Sequence, residues 1–289
     1  MIQDIAPHQF KNEYLPSPPD KDSIMLYYKD GQCLVQVSEE GIAFPTFAEA
    51  ECIETEDIQD AIRDAIYLFS IDDVKYYLVN GLVPEDFQEY SMESIVIFRT
   101  QVPIERAFAG LTGYQLEKWY QTRQFCGKCG SKMVHDGKER MMRCEHCGTT
   151  EYPKICPAVI VGLTDGNRML LTKYADKKRR RYALIAGFAE VGETLEETVQ
   201  REVMEEVGLK VKNIQYYKSQ PWSISSSLLS GFFCELDGED QVTLDEDELE
   251  LAEWFDREEI PEAASVETLT NEMMMRFKYC KNYLDRVEY

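Results

Sequence analysis

Apolar positions along the stretch 187–209, GFAEVGETLEETVQREVMEEVGL, repeat with the period of a helix. Leu195, Val199, Val203 and Val207 stand four apart and form one stripe. Thr194 before the stripe and Glu197 three residues on form the pattern of a capping box. Gly208 stands where a helix-ending glycine belongs. Glu202, Glu205 and Glu206 share the polar side at i, i+3 and i+4, so the spacing directs three carboxylates towards one region. Carboxylates so close repel one another unless a cation lies among them, and oxygen-rich sites suit hard divalent metals.

Elsewhere the pattern alternates between strand and helix. Met25–Tyr28 and Cys33–Val37 flank Lys29-Asp30-Gly31-Gln32, and Asp-Gly between apolar runs predicts a hairpin. Val74–Val79, Ile95–Phe98, Ala158–Leu163, Met169–Lys173 and Leu228–Glu235 predict strands, with a turn at Asp165-Gly166-Asn167. Ile58, Ile62, Ala65, Ile66 and Phe69 have helical spacing and predict a helix over 56–69. Val102–Gln124 predicts a second helix, with Leu111, Leu116, Trp119 and Tyr120 as its packing surface. The segment 261–289, with Met273, Met274, Phe277, Tyr283 and Leu284, predicts a mostly helical end.

The chain of 289 residues is long enough for two domains. With 31 Lys and Arg against 53 Asp and Glu, its formal charge of −22 opposes extended contact with nucleic acid or anionic membrane. Lys177–Arg181 is the exception, a run of five basic residues that predicts either a solvated tip or a local rim for anionic substrates. No apolar run is long enough to span a bilayer, and MIQDIAPHQF lacks the build of a signal peptide, which predicts a cytoplasmic protein.

Four of the nine cysteines form two pairs, Cys126-Gly-Lys-Cys129 and Cys144-Glu-His-Cys147, fourteen residues apart. Two such knuckles can place four thiolates at tetrahedral corners, which predicts a closed, structural zinc site. His146 lies inside the second knuckle, but four cysteines suffice. Residues 1–120 predict a β-rich domain without a catalytic constellation, and His8 is read as structural.

Gly187, Glu193, Arg201-Glu202, Glu205-Glu206 and Gly208-Leu209 occupy the fixed positions of the Nudix box, and the chain resembles a Nudix hydrolase. The two cysteine pairs, Tyr152-Pro153 and Ser219-Gln220-Pro221-Trp222 narrow the resemblance to the NADH pyrophosphatase branch. The branch motif continues Pro-Phe-Pro after Trp222, where this chain has Ser223-Ile224-Ser225. The resemblance implies an α/β fold: a Nudix α/β/α sandwich over 154–289, preceded by a zinc ribbon at 121–153 and the β-rich domain at 1–120. It also implies Mg²⁺ or Mn²⁺ on Glu202, Glu205, Glu206 and Glu248, beside Zn²⁺ on Cys126, Cys129, Cys144 and Cys147. Glu206 is the first choice for the carboxylate that activates water, with Glu205 and Glu248 as runners-up. Phe188 would stack on a base, Tyr152 would reach the same pocket from a second subunit of a homodimer, and Gln220 and Trp222 would shape it. Arg201 with Glu193 is read as an ion pair that fixes the loop.

The activity implied is hydrolysis of the pyrophosphate of NADH or NAD⁺ to nicotinamide mononucleotide and AMP. Three other readings stand beside it: removal of NAD caps from RNA 5′ ends, broad nucleoside diphosphate-X hydrolysis, and a non-catalytic nucleotide sensor. The sensor reading is weakened because every box glutamate is present.

Overall fold

A computed structural model describes residues 1–175, 181–245, 247–263 and 268–284. The basic run Lys177–Arg181 lies outside these residues except for its last member. Contacts divide the chain into two compact units, Ile2–Lys154 and Ile155–Tyr289, the second also including Met1. Among the described residues no helix is long and apolar enough to cross a membrane.

In the first unit a four-stranded sheet runs in the order Phe10–Lys11, Ile66–Ile71, Val74–Leu78, Ile24–Leu26. The expected hairpin joins Tyr28–Lys29 to Gln32–Ser38, with Tyr28 opposite Cys33. Asp30 and Gly31 both take positive φ, as a tight hairpin turn requires. Helix Ile104–Thr122 buries Phe108, Leu111, Leu116, Trp119 and Tyr120. It approaches its neighbours closely at Gly113, where a Cβ would lie 2.5 Å from Leu26 and from the Tyr28 hydroxyl.

Two expectations fail in this unit. The helix predicted over 56–69 ends at Arg63, and Ile66–Ile71 is a strand. Ile58 faces the core from the helix, whereas Tyr67, Leu68 and Phe69 are all buried in the strand, a run that periodicity cannot tell from a buried helix. The predicted strand Ile95–Phe98 is a short 3₁₀ helix. The Ser94 hydroxyl accepts from the Val96 N–H, and Ile95 and Phe98 bury at the i, i+3 spacing of that helix. The strand lies just before it, at Ser91–Ser94.

The ribbon ends the first unit with three short strands, Val134–His135, Met142–Arg143 and Thr150–Glu151, the middle one pairing with both others.

The second unit is built on one mixed sheet. Its order is Val211–Trp222, Ser227–Leu236, Cys156–Asp165, Arg168–Tyr174, Leu249–Asp256, with Ile185–Phe188 also paired to Cys156–Asp165. Alternation sorts the side chains onto two faces. Val159, Val161, Leu163, Phe232 and Cys234 pack with Val199, Val203 and Val207 of helix Leu195–Val207. Ile160, Met169, Leu171 and Phe233 pack on the other face with Met273, Met274 and Phe277 of helix Leu269–Tyr279. Helix, sheet and helix therefore form the expected α/β/α sandwich. The terminal helix is shorter than expected: within 261–289 it covers Leu269–Tyr279, and 264–267 and 285–289 lie outside the described residues. Tyr283 and Leu284 still pack on its core from the turn that follows.

Candidate functional site

Helix Leu195–Val207 starts and stops as its sequence dictates. The Glu197 N–H donates to Thr194 Oγ1 at 3.2 Å, and the Thr194 N–H donates back to the Glu197 carboxylate at 2.7 Å. Gly208 ends it in the left-handed conformation. Val199, Val203 and Val207 are completely buried, so the helix is pinned and its polar side is set in angle.

Arg201 organises that side. Its guanidinium donates to Glu193 at 2.6 and 3.0 Å, to Glu202 at 2.8 Å, to Glu205 at 2.9 Å and to the carbonyl of Phe188 at 2.8 Å. The expected Arg201–Glu193 pair is thus one arm of a larger hub. Hydrogen bonds from Arg201, then from the Glu190 N–H, hold the Glu193 carboxyl down at about 2. Arg201 itself is raised by the same partners, Glu193 foremost.

Glu206 is placed differently. It is 3 % exposed, and its Oε2 is buried with no hydrogen-bond partner among the described residues. Burial first, then the charges of Glu202 and Glu248, push its carboxyl up to about 8, against one opposing hydrogen bond from the Ala186 backbone. Burial also raises Glu202, opposed by Arg201. Glu248 is exposed on a loop tied to the helix end, where the Asp245 N–H donates to the Glu206 carbonyl at 3.0 Å.

The three helix carboxylates do not meet at one point in this conformation. Among the described residues, only the four cysteines form a set of three or more His, Cys, Asp or Glu with ligand atoms all within 4.8 Å. Arg201 draws the Glu202 and Glu205 carboxylates to itself, whereas Glu206 is held by the Ala186 backbone. The donor set nevertheless fits a hard cation. It is all carboxylate oxygen, it contains an orphaned buried oxygen, and its excess negative charge is only partly balanced by one arginine.

Gly187 is explained by Glu202. A Cβ there would lie 2.0 Å from the Glu202 carboxylate. Gly187→Ala is therefore expected to displace that carboxylate and reduce turnover at least tenfold (about 1.4 kcal/mol). Steady-state kinetics with a parallel melting curve check this, and unchanged kcat would mean that the position of Glu202 does not matter.

The remaining predicted residues are dispersed. Phe188 is 53 % exposed at the end of strand Ile185–Phe188, opposite Ala158, with its backbone held by Arg201. Trp222 ends strand Val211–Trp222 opposite Ser227, which in turn lies opposite Cys156. Gln220 lies on the same strand, opposite Leu229. Its side chain is fully buried, and its Oε1 accepts from the Leu269 N–H at 2.8 Å, at the start of the terminal helix. Tyr152 belongs to the first unit, where its exposed hydroxyl donates to Glu139 at 2.6 Å.

The ribbon repeats one knuckle twice. The Cys126 N–H donates to Ser131 and Gly130 N–H to Cys126; likewise Cys144 donates to Thr149 and Gly148 to Cys144. Gly130 and Gly148 both take positive φ. Sulfur atoms of Cys126 and Cys147, and of Cys129 and Cys144, lie 3.5 Å apart. His146 is not part of the cluster.

Sequence reasoning missed the Arg201 contacts to Glu202, Glu205 and Phe188, and the Ala186 contact to Glu206. Only Arg201–Glu205 carried a local signal, the i, i+4 spacing.

Comparison with known proteins places these features. Residues 154–277 match the NUDIX domain, and residues 121–152 match the NADH pyrophosphatase zinc ribbon domain. A relative named NAD-capped RNA hydrolase NudC, from Haemophilus influenzae strain PittEE, is 38 % identical over 177 residues, covering 58 % of this chain and 66 % of that protein. The protein of the same name from Shigella flexneri is 41 % identical over 149 residues, covering 52 % and 58 %. The match thus spans less than two thirds of each relative's length. A solved Nudix hydrolase from Nitrosomonas europaea aligns with a TM-score of 0.49 and 24 % identity, over 57 % of this chain and 96 % of that one. Residues 154–277 are thus a Nudix domain, preceded at 121–152 by an NADH pyrophosphatase zinc ribbon domain.

Proposed function

We propose that the chain hydrolyses the pyrophosphate bond of NADH and NAD⁺, releasing nicotinamide mononucleotide and AMP. The observation that carries this reading is the Glu206 carboxylate, buried with an unpartnered oxygen beside Glu202 and Glu248. Glu202, Glu205, Glu206 and Glu248 would hold Mg²⁺ or Mn²⁺, and the bound ion would neutralise the diphosphate and polarise the phosphorus under attack. Glu206 orients water and takes its proton, with Glu205 or Glu248 next in line for that role. Arg201 keeps Glu202 and Glu205 in place and fixes the backbone from which Phe188 projects. Phe188 offers its exposed ring to a base, and Trp222 with the 223–227 loop forms another wall. Gln220 acts indirectly, by fixing the start of the terminal helix. In a homodimer, Tyr152 of a second subunit would complete the pocket. Cys126, Cys129, Cys144 and Cys147 hold a structural zinc in this reading, and the enzyme works in the cytoplasm.

The name of the relatives favours a second reading, removal of the NAD cap from RNA, which breaks the same bond on a longer substrate. The charge of −22 weighs against long RNA contacts. Comparing kcat/KM for NADH, NAD⁺, ADP-ribose and NAD-capped RNA tests both, and failure to cleave any of them overturns the proposal.

Discrimination between NADH and ADP-ribose must come from the nicotinamide, since the diphosphate is common to both. Stacking on Phe188 would supply about 0.5–1.5 kcal/mol, up to roughly tenfold. Phe188→Ala is expected to lower kcat/KM for NADH more than for ADP-ribose. An equal fall for both substrates would move Phe188 away from the nicotinamide.

A further inference from the structure

The first unit contains a cavity of about 430 Å³ that the proposed reaction does not use. It opens where the sheet strands, the end of helix Ile104–Thr122 and the ribbon meet. Ile66, Leu78, Met133 and Met142 give it an apolar lining. Tyr120 and His135 stand together in its wall, ring centroids 4.9 Å apart. The polar lining is unusual for this chain. Although 53 of the 289 residues are Asp or Glu, none of the lining residues is acidic.

Asn80, Gln121, Gln124 and Lys132 supply three amides and one ammonium to the lining. All four side chains are exposed at the wall of the cavity. Flexible methionine and aromatic faces suit a flat ring. Side-chain amides carry both donors and acceptors, as the edge of a nucleobase demands. A lone lysine without a carboxylate suits a phosphate. A pocket of this size also lies in the range that encloses small-molecule ligands.

We propose that this cavity is a second nucleotide site, binding one nucleoside monophosphate unit through its ring and its phosphate. The unit has two possible sources, a free nucleotide or one residue of an RNA strand. The site is independent of the hydrolytic reading, because binding is measured without turnover.

The test is titration calorimetry on full-length, zinc-loaded protein without added divalent metal, using AMP in one arm and a short oligoadenylate in the other. Saturable binding of AMP assigns the free nucleotide, and binding of the oligoadenylate alone assigns the strand. In either case Lys132→Glu is expected to weaken binding at least tenfold, while zinc content, melting temperature and kcat on NADH stay unchanged. Gln121→Ala gives a milder second variant in case Lys132→Glu disturbs the ribbon, and it should also weaken binding. Failure of both ligands to bind, or affinity untouched by both substitutions, overturns the proposal.

Discussion

Glu206→Gln is expected to cut turnover by about a thousandfold, or roughly 4 kcal/mol, and at the same time to stabilise the metal-free protein above neutral pH. Glutamine keeps the shape of the side chain and removes its charge. The stability effect follows from the carboxyl being pushed up to about 8 by burial and by Glu202 and Glu248. A carboxyl whose folded pKa exceeds its ordinary value near 4.5 binds its proton more tightly in the folded state. Its stabilising share is complete below about 4.5 and is lost as pH rises through about 8. At about 1.4 kcal/mol per pKa unit, the wild type gives up a few kcal/mol over that window, and Glu206→Gln gives up none of it. Melting curves of both proteins at pH 5 and pH 8.5, without divalent metal, should therefore diverge only at the higher pH. Added Mn²⁺ should raise the melting temperature of the wild type more than that of the variant, since a ligand stabilises the state that binds it. A variant that melts below wild type at pH 8.5 would show that Glu206 is not under electrostatic strain.

The second large effect concerns the ribbon. Cys144 is completely buried and its sulfur lies 3.5 Å from that of Cys129. Cys144→Ser is expected to reduce bound zinc from about one per chain to nearly none. Structural zinc binding contributes about 10–16 kcal/mol to small zinc folds, far more than three two-residue strands can replace. Hydrogen exchange should accelerate across 124–152 and stay slow in the helix Leu195–Val207. Elemental analysis and mass-detected exchange check both statements. Wild-type protein purified from zinc-containing medium but free of zinc would contradict the closed Cys₄ site.

The sequence disclosed most where the chemistry is local. Capping of Leu195–Val207, its valine stripe, the Asp30-Gly31 turn and the paired knuckles each follow from residues a few positions apart. The failures occurred where a local pattern was shared by two structures. Ile62, Ala65, Ile66 and Phe69 fit a helix, but the strand Ile66–Ile71 gains pairing with Val74–Leu78 and Phe10–Lys11, partners invisible in a helical window. The carboxylates illustrate a different limit. Spacing put Glu202, Glu205 and Glu206 on one side, whereas their separation depends on where a single arginine reaches. That reach includes the Phe188 carbonyl, thirteen positions away, and is set by the loop that Glu193 closes. Gln220 showed the same limit, since its partner Leu269 is 49 positions distant.

The most direct measurement is quantitative product analysis of NADH incubated with zinc-loaded protein, with and without added Mg²⁺ or Mn²⁺. Cleavage at the pyrophosphate should yield AMP and reduced nicotinamide mononucleotide in equal amounts, only when the divalent metal is present, and Glu206→Gln should yield almost none. Intact NADH, unequal products such as free nicotinamide with ADP-ribose, or equal yields from the Glu206→Gln protein would contradict a pyrophosphohydrolase built on this helix.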